Sequence, residues 1–135
     1  MMRFNQAWLL DRTNADVYWG FGNLLGMKGQ YKESISLFKK SISLNAKNAL
    51  VWEAGSISYI QVFFKTQNLK QLDTCIIYLK EAIKLDNKNA GLFAELATAY
   101  SYFYQKDSAR KYMEITDKLD VNAMDPQARE IIIKK

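Results

Sequence analysis

The chain of 135 residues carries a single cysteine, Cys75, and no histidine. Those two facts close off most side-chain chemistry. A Cys/His zinc site cannot be assembled, an intramolecular disulfide cannot form, and a Cys–His nucleophile pair is excluded. Cys75 stands beside Ile76 and Ile77 in an apolar stretch, the setting of a small buried residue. There is no glycine-rich phosphate loop, and the spacing pattern places no two carboxylates together. The sequence therefore predicts a protein that is not an enzyme and that uses no metal and no cofactor.

A repeated phrase sets out the elements that carry these residues. "LDRTNA" at 10–15 returns as "LNAKNA" at 44–49, as "LDNKNA" at 85–90 and, worn, as "LDVNAM" at 119–124. Leu10, Leu44, Leu85 and Leu119 are spaced by 34, 41 and 34 residues, the period of a helical repeat array. Ahead of the phrase a helical period runs. Residues 31–44 put Ile35, Phe38 and Ile42 on one face with Lys32, Lys39 and Lys40 elsewhere, and residues 72–85 do the same with Leu72, Ile76, Leu79, Ile83 and Leu85. Behind it Asn14, Asn48 and Asn89 each precede an apolar run, where an asparagine side chain can cap the next helix. The phrase is thus a joint between two helices.

A second joint lies inside each unit. In "MKGQY", residues 27–31, Gly29 can end a helix in the left-handed region, whereas "YQKDSA" at 104–109 has no glycine. The middle unit holds seven extra residues, almost two helical turns, so its two helices are expected to be a turn longer each and to meet near "KTQN" at 65–68. With 49% hydrophobic residues and one proline, the chain reads as folded and all-α, with seven or eight helices and no strand.

At this level of detail the chain resembles the tetratricopeptide repeat family. Tyr18, Trp52 and Phe93 supply the early aromatic of the first helix, and Phe21–Gly22 and Leu96–Ala97 its large–small pair, of which Gly55–Ser56 keeps only the small half. Leu25, Tyr59 and Tyr100 fill the next large position. The second helix shows small, large, small as Ser34, Phe38, Ser41, then Cys75, Leu79, Ala82, then Ala109, Met113, Thr116, which lets two axes approach closely. The family's usual proline is replaced by Ala46, Asn87 and Val121.

The resemblance implies a right-handed superhelical solenoid of stacked helix–turn–helix units. Residues 15–48, 49–89 and 90–123 would be three repeats, residues 1–14 the second helix of a truncated one, with Phe4, Ala7 and Leu10 in register, and residues 124–135 a capping helix started by Asp125–Pro126. The apolar face of the N-terminal helix, lacking its partner, is expected to promote self-association through residues 2–25.

In such a stack the first helices line the inner face. Residues 15–27, 49–64 and 90–105 contain Asp16, Glu53 and Glu95 but no lysine or arginine, so the net charge of +5 belongs mainly to the outer face. That distribution argues against a nucleic-acid partner, which needs a basic stripe. Four-residue steps along the first helices pick out Trp19, Asn23, Glu53, Ile57, Gln61, Thr98 and Tyr102 as groove residues. The clamp with which some relatives hold acidic chaperone tails is not carried over. Only Asn23 matches, and Trp19, Gly91, Glu95 and Ala54 stand at its other positions.

The expected function is a non-catalytic scaffold or adaptor that takes an apolar or weakly basic protein segment in its groove. The alternatives are an RNA-binding helical repeat and a structural fragment of a larger multi-repeat protein. No apolar run is long enough to span a membrane and the N-terminus does not read as a secretory signal, so a cytoplasmic protein without a membrane partner is expected, or one of the cell envelope if a targeting segment lies outside this sequence.

Overall fold

The computed structural model describes residues 13–102 and 106–134. Among the described residues there are seven helices and no strand: α1 Ala15–Met27, α2 Tyr31–Leu44, α3 Ala49–Thr66, α4 Leu69–Leu85, α5 Ala90–Ser101, α6 Lys106–Leu119 and α7 Pro126–Lys134. Residues 1–12, and with them most of the expected N-terminal helix and the 2–12 part of the expected self-association surface, lie outside the described residues. None of the described helices is long and apolar enough to cross a membrane.

The helices begin where asparagine can cap them. Asn14, Asn48 and Asn89 each accept a backbone N–H two residues on, from Asp16, Leu50 and Gly91, at 2.9–3.0 Å. Asn68 does the same for Lys70 at 3.0 Å and starts α4. Each cap satisfies one of the amides that a helix leaves unpaired in its first turn. Gly29 ends the first helix with φ of 79°, a conformation that needs no Cβ. The seven extra residues fall as expected. Helices α3 and α4 have 18 and 17 residues against 13 and 14 in α1 and α2, and their turn at Gln67–Asn68 lies inside the 65–68 segment.

Helices pair as α1 with α2, α3 with α4 and α5 with α6, and each hairpin then packs its second helix on the first helix of the next. The small–large–small positions are the contact. Ser34, Phe38, Ser41, Cys75, Leu79, Ala82, Ala109 and Thr116 are all buried. Their hydroxyls are used: those of Ser34 and Ser58 hydrogen-bond at 2.8 Å between α2 and α3, and Ser41 donates to the Ala15 carbonyl at 2.8 Å. At Gly22 a Cβ would lie 2.5 Å from the Phe38 ring, so the hairpin closes only around glycine. At Gly55 it would meet the Tyr78 ring at 2.7 Å. Tyr78 itself is wedged edge-on between Trp52 and Tyr59, with ring centroids 4.9 and 5.0 Å away. The bulk missing beside Ser56 is supplied by Tyr78, across the hairpin.

The missing proline at the first long joint is also compensated. The Trp52 indole N–H donates to the Ala46 carbonyl at 2.8 Å, and Asn45 accepts the Lys47 amide at 3.0 Å. The repeated leucines behave differently from expectation. Leu44, Leu85 and Leu119 are exposed, although Leu85 was expected on the apolar face. Each lies six residues beyond the central large residue of its helix, roughly a third of a turn off the buried stripe. Helix α7 caps the stack through Ile132, buried against Ala94, Ala97, Ala109 and Met124. Arg129 fixes it to α6, its Nη1 donating to Asp117 Oδ2 at 2.8 Å and its Nη2 to Oδ1.

Candidate binding groove

Two pockets open between successive first helices. One, of about 230 Å³, lies between α1 and α3 and is lined by Asn23, Ile57 and Gln61, with Phe38 of α2 beneath. The other, of about 280 Å³, lies between α3 and α5. Ile57, Ile60, Glu95 and Thr98 line it, with Cys75 and Leu79 contributed by α4 and Asp125 by the turn before α7. Ile57 belongs to both pockets and is 46% exposed, a large apolar side chain left open between two concavities.

Four of the residues singled out by spacing therefore come together: Asn23, Ile57, Gln61 and Thr98. Trp19 and Tyr102 line neither pocket. Trp19 is half-buried, and among the described residues no acceptor reaches its buried indole N–H. Tyr102 packs on Phe63 and Phe64 at the far end of α3 and α5, with ring centroids 5.9 and 5.4 Å away. Trp19, Ile57 and Tyr102, all expected in the groove, thus do not form one continuous surface. The inner helices also carry one lysine more than the sequence reading allowed, because α3 runs on to Thr66 and takes in Lys65. Its ammonium lies 5.2 Å from the centre of the Tyr31 ring and lines neither pocket.

The eighth groove residue is one that the four-residue steps passed over. Glu95 lies three residues before Thr98, on the same helical face, and its carboxyl is within hydrogen-bonding reach of Glu53 on α3. Spacing alone placed no carboxyl pair together. The structure does, because Glu53 is the fifth residue of α3 and Glu95 the sixth of α5, side by side across neighbouring repeats. Burial, with the adjacent Glu53 charge and hydrogen bond adding to it, pushes the Glu95 carboxyl up from 4.5 to about 8. Glu95 Oε2 is buried, and among the described residues no donor reaches it. Near neutral pH the Glu95 carboxyl therefore keeps its proton.

Cys75 completes the floor. Burial, with Glu95 nearby, raises its thiol to about 12, so it stays protonated and unreactive. Among the described residues no group of three or more acidic or cysteine side chains is arranged to hold a metal ion.

Comparison with known proteins bears on what this groove belongs to. Residues 15–48 and 67–89 match the family model of the tetratricopeptide repeat. Residues 15–48 are thus a tetratricopeptide repeat, and 67–89 part of another. Solved structures of this fold superpose well at low identity. MamA gives a TM-score of 0.81 at 18% identity, over 96% of this chain and 70% of that one. The second tetratricopeptide domain of human RPAP3, in complex with the HSP70 peptide SGPTIEEVD, gives 0.72 at 20% identity, over 87% and 90%. The first such domain of Spaghetti (RPAP3), bound to the HSP90 peptide SRMEEVD, gives 0.75 at 19% identity, over 92% and 91%. No curated protein sequence matches the chain. The seven described helices thus form an all-α superhelical array of this fold, and both pockets lie between its first helices.

Proposed function

We propose that this tetratricopeptide array is a non-catalytic adaptor that binds a protein segment along the groove formed by α1, α3 and α5. The observation that carries the reading is Ile57, exposed at the junction of two adjoining pockets, where a bound segment can seat successive side chains on either side of it. The peptide complexes of the two RPAP3 domains support it at the level of fold. The three repeats at 15–48, 49–89 and 90–123 each contribute one helix to the groove, and Trp19 and Tyr102 stand at its two ends. The adaptor works in the cytoplasm.

The ligand differs in charge from those of the RPAP3 domains. Both of their peptides end in EEVD. Here Glu95, Glu53 and Asp125 stand in or beside the larger pocket, so an acidic tail meets like charge and loses affinity. An apolar or weakly basic segment fits.

The test is a photo-crosslinking amino acid placed at Gln61 in the groove and, separately, at Lys39 on α2. Peptides selected from a display library should crosslink at Gln61 and not at Lys39. The Ile57→Asp variant should bind the same peptides at least about tenfold more weakly, the loss of one apolar anchor. Crosslinking only at Lys39 would place binding on the outer face and end the proposal.

A further inference from the structure

We infer that the pocket between α3 and α5 is a lysine socket: it receives the side chain of one lysine of the bound segment, the ammonium settling on the Glu53–Glu95 pair. The inference rests on the groove reading above and names what its larger pocket selects.

Size comes first. At about 280 Å³ the pocket is at or below the bottom of the range for small-molecule sites, roughly 300–1,000 Å³. It suits one side chain of a longer ligand rather than a whole metabolite. Lining comes second. Ile57, Ile60, Leu79 and Ala94 present an apolar wall, which a four-carbon stem can cover. Charge comes third and decides the head group. The charged groups facing the pocket are Glu95 from α5 and Asp125 from the turn before α7, with Glu53 of α3 against Glu95. The Cys75 thiol of α4 faces it uncharged, and no lysine or arginine lines it. A carboxyl kept protonated by burial and by the neighbouring Glu53 charge is complementary to an ammonium, which can take the place of that proton. With Glu95 Oε2 buried, that carboxyl does not offer two open oxygens to the bidentate fork of a guanidinium, whereas an ammonium is a compact point charge with rotatable donors that needs one.

The experiment uses the full chain and three small probes that differ only in the head group: n-butylammonium, n-butanol and butyrate. Binding is followed by NMR on the methyl groups of Ile57, Ile60 and Thr98. Butylammonium should shift these methyls with an affinity roughly tenfold above that of butanol, the difference made by one charge-assisted contact. Butyrate should not bind. In the Glu53→Gln/Glu95→Gln double variant, which keeps the shape of both side chains, butylammonium should fall to the level of butanol while butanol is unchanged.

Equal binding of butylammonium and butanol to the native chain would overturn the proposal. So would the absence of methyl shifts with any probe, or an ammonium preference that survives the double substitution. A chain that crosslinks its peptides at Gln61 yet shows no ammonium preference loses the lysine socket alone, so the two readings fail separately.

Discussion

At the scale of single residues, the fold depends on a few positions where one atom too many is decisive. Gly22→Ala puts a methyl group into the Phe38 ring and should destabilise by about 1–3 kcal/mol, and Gly22→Leu by at least as much. Gly20→Ala on the same helix is exposed, with no described atom within 4 Å of the new Cβ, and should stabilise by roughly 0.5–1 kcal/mol. Urea melts of the three variants check the contrast, and equal midpoints would show that the helices do not cross at Gly22. Glu95 gives a second prediction, in pH. Its folded-state value lies near 8, above its ordinary 4.5, so the native state holds the extra proton between those values. Its stabilising contribution is complete below the ordinary value and is lost as pH rises through about 8. Glu95→Gln should therefore flatten the fall in stability between about pH 5 and pH 8, and be more stable than the native chain at the upper end by about 1–3 kcal/mol. Denaturation at the two pH values measures it. Gly22 was legible in the sequence because tight packing follows the repeat pattern. The carboxyl pair was not, because its members differ by one place in register and are brought together only by the packing of one hairpin on the next.

At the scale of elements, caps and turns carry the repeat. Replacing Asn48 or Asn89 by alanine should cost about 1 kcal/mol each, since either leaves a first-turn amide, of Leu50 or Gly91, without its acceptor. Asn89→Ala should in addition disturb the larger pocket, because Gly91 lines it, so binding should weaken beyond the effect of Asn48→Ala. Thermal melts combined with peptide titrations separate the two effects. These joints could be read from sequence because capping is local: a side chain and an amide two residues apart need no tertiary information. The leucine of the same phrase was misleading for a related reason. It marks where a helix ends, but its angle about the axis takes it off the core, and repetition does not distinguish a buried position from a terminal one. Tyr102 shows the other limit. Four-residue steps placed it on the groove face, yet Phe63 and Phe64 hold it at the end of the helices, which no count along a single helix can foresee.

At the scale of the whole molecule, the proposed groove ties partner choice to charge. Peptides with a common apolar core and acidic, neutral or basic flanks should bind in rising order, with basic flanks tightest and an EEVD ending weakest. Calorimetry at fixed salt tests this, and tightest binding by the acidic set would contradict the groove as drawn. The uneven hairpin lengths have a different consequence. Helices α3 and α4 outreach α1 and α2 by about a turn each, so the array has one long rung among shorter ones. An array of identical rungs can slip by one unit, exchanging a hairpin with a second copy of itself or folding out of step, at little cost. Here a one-unit slip sets the long hairpin beside partners cut for a short one and leaves Val62 and Phe63, both buried in the native order, without cover. The long middle rung therefore acts as an index mark that holds each repeat in its own place.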